Sequence, residues 1–243
     1  MILIRFRLKR ALWACAGLLV ACLCVALGIF SLRQVARQTA AGVGQTPVPV
    51  VLLDAGHGGE DGGAVGLGGV VEKDINLPVT RKLNTFLRVM GFETRLTRST
   101  DTSIHDLTAG TLRERKVSDI HNRFAMIEQL GDNDFFVSIH QNQFPASSSA
   151  HGTQVFYSVN HPRSVLLAQA IQKSVVRLLQ PTNTRKVKPS GTEIYLLWHS
   201  KKPAVLVECG FLSNAGDVEK LQQDSYQNQM AFAIACGVLQ YNS

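Results

Sequence analysis

Residues Val50 to Glu72 read VVLLDAGHGGEDGGAVGLGGVVE. The stretch opens on an apolar run, Val50 to Leu53, too short for a helix and half β-branched. Such a run suits a strand buried on both faces, as in a parallel sheet. It stops at Asp54, and a glycine-rich loop carrying His57 follows. In open α/β sheets, chemistry collects at the carboxyl ends of strands, where loops present side chains without unpacking the core. His57 is therefore a candidate metal ligand or base; the bland alternative is a phosphate-cradling turn.

Outward from this stretch, strands alternate with helices. Ile75, Val79, Leu83, Phe86, Leu87 and Met90 recur at helical spacing, and Gly91 follows as a stop. Proline is tolerated only in a first turn, so Pro78 places the start of this helix near Asn76. Residues 92–97 read as a strand, and the polar segment 98–112 as a functional loop beside the site. A second helix is expected over 113–131, with Ile120, Phe124, Ile127 and Leu130 inward. Residues 134–140 (DFFVSIH) form another central-strand pattern, and 153–158 a further strand. A third helix spans 162–179, with Leu166, Ile171, Val175 and Leu178 at core spacing. Two more strands are expected at 193–198 and 204–207, then one or two closing helices within 217–239. The class is α/β, a single domain with a twisted, mostly parallel central sheet flanked by helices.

The net charge of +7 is unevenly placed. Residues 1–40 hold Arg5, Arg7, Lys9, Arg10, Arg33 and Arg37 and no acid, leaving 19 basic against 18 acidic residues elsewhere. The excess belongs to the N-terminal segment, which argues against nucleic acid as a partner. Residues 11–30 carry no charge and as a helix would be about 30 Å long, the thickness of a bilayer core. The basic residues before them keep the N-terminus cytoplasmic. The expected organisation is a cytoplasmic basic segment (1–10), a transmembrane anchor or signal (11–30), a linker (31–49) and a catalytic domain (50–243). A cleaved signal and a lipoprotein signal around Cys22 are the alternatives; all three export the domain. Cys209 and Cys236, the two cysteines beyond residue 40, form no disulfide framework.

Three polar residues stand at or just after the ends of separate apolar strands: His57, His140 and Glu208. Glu72 closes the glycine-rich loop. Two imidazoles and a carboxylate, with a fourth position for water, make the ligand set of a catalytic zinc site, and a further carboxylate can serve as general base. Spacing does not choose between Glu72 and Glu60, since His57-Gly58-Gly59-Glu60 also fits a ligand pair. Asp54 reads as a hydrogen-bond partner of the loop backbone or of the far nitrogen of His57. Arg123 and Arg185 are candidates for a substrate carboxylate, against a solvated face, which is the favoured reading for Arg185, and Asn142 is a candidate for substrate or for tying down the loop.

The motifs DAGHGGEDGGAVG, VVEKDINL, TRSTD, SIHQN and PAVLVECGFLSN, in this order, resemble the zinc-dependent N-acetylmuramoyl-L-alanine amidases of the type-3 family. The resemblance implies a phosphorylase/hydrolase-like fold and cleavage of the amide between N-acetylmuramic acid and L-alanine in peptidoglycan. Carried over by position, it implies His57, Glu72 and His140 as Zn2+ ligands and Glu208 as the catalytic carboxylate, with residue 60 outside the set. The short domain and single apolar segment are similar to the sporulation and germination members, implying a role in spore cortex maturation at the membrane. A protein regulator is compatible with this. The competing functions are a zinc carboxypeptidase trimming stem peptides and an inactive peptidoglycan-binding module.

Overall fold

The computed structural model describes residues 48–243. The basic segment 1–10, the apolar segment 11–30 and nearly all of the linker lie outside the described residues. Among the described residues, no helix is long and apolar enough to cross a membrane.

Six strands form one sheet: β1 (Val50–Ala55), β2 (Glu93–Leu96), β3 (Phe135–Asn142), β4 (Gln154–Tyr157), β5 (Lys188–Pro189) and β6 (Ala204–Phe211). Their spatial order is β2-β1-β3-β6-β4-β5, and only the β4–β6 pairing is antiparallel. The helices are α1 (Glu72–Val89), α2 (Leu112–Glu128), α3 (Arg163–Leu178), α4 (Tyr195–His199), α5 (Ala215–Leu221) and α6 (Asp224–Asn242). Alternate residues of the central strands point to opposite faces. Val51, Leu53, Val137, Ile139, Val205 and Val207 join the larger cluster with α1, α3 and α6. Val50, Leu52, Phe136, Ala204 and Leu206 meet α2 and α4 on the other face. With helices on both faces and β1 flanked by β2 and β3, the strand order reverses beside β1. That is where ligands bind in open α/β sheets, at the strands' carboxyl ends.

Helix α1 begins at Glu72, four residues before the expected start, and holds Pro78 in its interior. The glycine-rich loop folds back to make this possible. Its carbonyls accept the first helical N–H groups, Glu72 N to Ala64 O (2.9 Å) and Lys73 N to Gly62 O (3.1 Å). These contacts offset the hydrogen bond that a proline cannot donate. Residues 193–198, expected as a strand, hold helix α4 instead. Strand β6 is paired on both sides, by β3 and β4, so the sheet offers this segment no edge there. Its consecutive apolar residues Leu196 and Leu197 are buried side by side against the smaller cluster. On α3, Ile171 and Val175 are buried as expected, but Leu166 and Leu178 are exposed and Leu167 and Ala168 face the core. Helix α2 starts with a capping box, Thr111 and Glu114 satisfying each other's backbone N–H groups.

Candidate metal centre

Each candidate residue is delivered by a different piece of backbone. His57 follows β1, Glu72 is the first residue of α1, and His140 and Glu208 are neighbours across the parallel β3–β6 ladder. One ligand atom from each of His57, Glu72 and His140 lies within 4.8 Å of the others. Glu72 is 3% exposed and sits between the rings: Oε1 is 2.8 Å from His140 Nδ1, and Oε2 is 3.3 Å from His57 Nε2. Backbone N–H groups of Ala64 (2.9 Å) and Gln141 (3.1 Å) also donate to this carboxylate. Its place in the first turn of α1 adds the favourable end of the helix dipole.

Two glycines make room for the cluster. A Cβ on Gly56 would come 2.2 Å from His140 Nε2 and 2.3 Å from its Cε1, a clash. One on Gly63 would come 2.6 Å from both Glu72 Oε2 and His57 Cδ2. His57 itself has φ 62°, in the left-handed region that costs a non-glycine residue of order 1 kcal/mol. The surroundings hold it there. Arg123 Nη2 donates to the His57 carbonyl (2.8 Å), and Asp61 Oδ2 lies 2.8 Å from His57 Nδ1. Asp61 is in turn paired with Lys116 (2.7 Å). A carboxylate on Nδ1 fixes the ring's orientation and leaves Nε2 facing Glu72.

Two expectations change. The partner of the far nitrogen of His57 is Asp61, not Asp54; the signal was the spacing of four residues inside one glycine-rich turn. Asp54 lies at the end of β1, 1% exposed, and accepts from Thr97 Oγ1 (2.7 Å), Ser138 Oγ (2.6 Å) and Arg123. Arg123 is not free to meet a substrate carboxylate. It is 3% exposed and bound to Asp54, Asp119 and the carbonyls of Ala55 and His57. With Arg98, which donates to Ala55 O (2.9 Å) and Gly56 O (3.1 Å), it pins three consecutive carbonyls at the end of β1 and the start of the loop. Glu60 is turned away and paired with Arg115 (2.6 Å). Asn142 ends β3, half-buried, its carbonyl accepting from Leu212 N (2.7 Å).

The electrostatics call for a positive charge. Burial raises the pKa of Glu208 well above the carboxylate range, and the charge of Glu72 adds to this while His57 opposes it. Its Oε2 is buried with no hydrogen-bond partner, although the residue as a whole keeps some exposure to the cleft. Burial would lower the pKa of His57, but Asp61 and Glu72 raise it to about 9. Burial likewise raises Glu72, and the two imidazoles overcome it and hold the group far below the usual range. Two nitrogens, one carboxylate and an adjacent orphaned carboxylate oxygen fit a divalent cation of the zinc class.

The sequence profile of the N-acetylmuramoyl-L-alanine amidase family (Amidase_3) matches residues 51–240. The chain is 34% identical over 192 residues to the germination-specific N-acetylmuramoyl-L-alanine amidase of Bacillus subtilis, covering 79% of each protein. Among solved structures it is similar to the CwlD amidase of Clostridioides difficile, determined in complex with the GerS lipoprotein. That match has 38% identity and a TM-score of 0.75 over 80% of this chain and 98% of that one. The amidase AmiC2 of Nostoc punctiforme matches at 30% identity and a TM-score of 0.64, covering 82% and 99%.

Proposed function

This chain belongs to the N-acetylmuramoyl-L-alanine amidase family and hydrolyses the amide between N-acetylmuramic acid and L-alanine in peptidoglycan, and we propose that His57, Glu72 and His140 hold the metal for that reaction while Glu208 moves the proton. The observation that carries this is the convergence of the three ligand atoms within 4.8 Å, beside an unpartnered buried oxygen of Glu208. The donor set supports Zn2+, which supplies a Lewis acid for the amide carbonyl and a water acidified toward neutral pH.

Glu208 takes the proton of the attacking water and later delivers it to the departing alanine nitrogen. Its buried, desolvated position raises the proton affinity of the carboxylate, which suits a group that takes up a proton and then gives it away. Asp61 keeps the His57 ring turned toward Glu72, and Arg123 and Arg98 hold the loop that carries it.

The likeness to germination-specific and CwlD amidases supports a role in spore cortex maturation. The uncharged segment 11–30 supports a single-pass anchor, or a cleaved signal, with the domain outside the cytoplasm. The GerS complex of the CwlD amidase supports a lipoprotein partner for this chain also.

Digestion of purified muropeptides, followed by mass analysis, tests the reaction. The expected products are peptides with a free L-alanine amino terminus and muramic acid with a free lactyl carboxyl. Release of single carboxy-terminal amino acids instead would mark a carboxypeptidase.

A further inference from the structure

Arg185 lies in the loop between α3 and β5 and is half-buried. Its Nε donates to His151 O (2.7 Å), Nη1 to Gln154 Oε1 (3.2 Å), and its backbone N–H to Asn183 Oδ1 (2.9 Å). The guanidinium stacks over the Phe211 ring, 4.3 Å from the centroid. All of these partners are neutral, and among the described residues Arg185 makes no ion pair, unlike Arg115 and Arg123. Its Nη2 has no protein acceptor there. Exposed arginines without partners are common and solvated; this one is fixed in place.

Both anchors belong to the strand pair that carries Glu208. Gln154 is 2% exposed and lies directly opposite Glu208 in the antiparallel β4–β6 register. Residues so paired project from the same face, with Cβ atoms about 4.5–5.5 Å apart. Phe211 is three residues beyond Glu208 on β6. The guanidinium is thus held one side chain to the flank of the catalytic carboxylate. Residues 180–192 add Lys186 and Lys188, and an acid beside Arg185's partners, Asp217, is 8% exposed and taken up by the backbone N–H groups of Gly152 and Phe211. A guanidinium already oriented by an aromatic face and two acceptors loses little freedom on gripping a carboxylate.

Resting on the amidase reading, we propose that Arg185 binds a stem-peptide carboxylate, that of the residue after L-alanine, and selects substrates in which this group is free over those in which it is amidated. The test uses the full zinc-loaded chain on N-acetylmuramoyl-L-alanyl-D-glutamate and N-acetylmuramoyl-L-alanyl-D-isoglutamine, which differ only in whether the α-carboxyl is free or amidated. The parent is expected to favour the acid by roughly 10-fold or more in kcat/KM, mostly through KM, the size of a charge-assisted hydrogen bond. Arg185→Ala should bring the acid-to-amide ratio toward one, and Arg185→Lys should restore part of it. The ratio is taken on one enzyme at a time, so loss of active protein does not move it. If the alanine variant does not fold, the parent's preference and the lysine variant decide. Equal kcat/KM in the parent, or an undiminished ratio in Arg185→Ala, overturns the proposal and leaves the amidase reading standing. Cleavage of neither substrate by the parent overturns both.

Discussion

Glu208→Gln is expected to keep its bound metal and lose turnover by roughly 10²–10⁴-fold, the usual worth of a positioned general acid–base group. The substitution preserves volume and removes the charge that accepts a proton. The folded state tolerates it, because Oε2 has no hydrogen-bond partner to disappoint and its desolvated charge is already disfavoured. A drop in kcat with KM little changed separates loss of chemistry from loss of binding. Paired steady-state kinetics and elemental analysis check it. Activity within a few-fold of the parent, at full metal content, would remove Glu208 from the reaction.

The second large effect is on folding. Asp54→Asn is expected to cost about 3 kcal/mol at pH 7, the lower end for breaking a buried pair, because Arg123 keeps Asp119. In a domain of this size that lowers Tm by roughly 6–12 °C. The same substitution carries a pH signature. Burial would raise the pKa of Asp54, but the Arg123 guanidinium, His140 and the hydroxyls of Ser138 and Thr97 hold it at about 2, below the ordinary 3.8. A depressed folded pKa contributes stability above the unfolded value and loses it as pH falls through the folded one. The gap between parent and variant should therefore shrink between pH 4 and pH 2. Denaturant unfolding across that range measures it. A variant within 1 kcal/mol of the parent at pH 7, or a gap that does not move with pH, would show that the pair does not brace the loop.

The strand before the glycine-rich loop was legible because a short β-branched run has few other homes. The α/β class followed from short apolar runs alternating with segments of helical period. His57, His140 and Glu208 could be picked out as polar groups standing at the ends of apolar runs, whereas only the family resemblance chose Glu72 over Glu60. What escaped the sequence depends on neighbours. Helix α4 is helical because β4 occupies the edge its residues would otherwise take, and pattern alone carries no record of that competition. Arg123 reads as a candidate for a substrate carboxylate until Asp54 is seen across 69 residues. Asp61 stands four residues from His57, yet Asp54 and Glu60 lie as close, and only the turn's geometry selects among them.

A metal-bound crystal structure of the full chain, with anomalous data collected at the zinc edge, tests the central claim most directly. The expected inner sphere contains one nitrogen each from His57 and His140 and carboxylate oxygen from Glu72, with Asp61 and Glu208 outside it. Glu208, Glu60 or Asp61 in place of Glu72, or a cation seated away from these histidines, would contradict it.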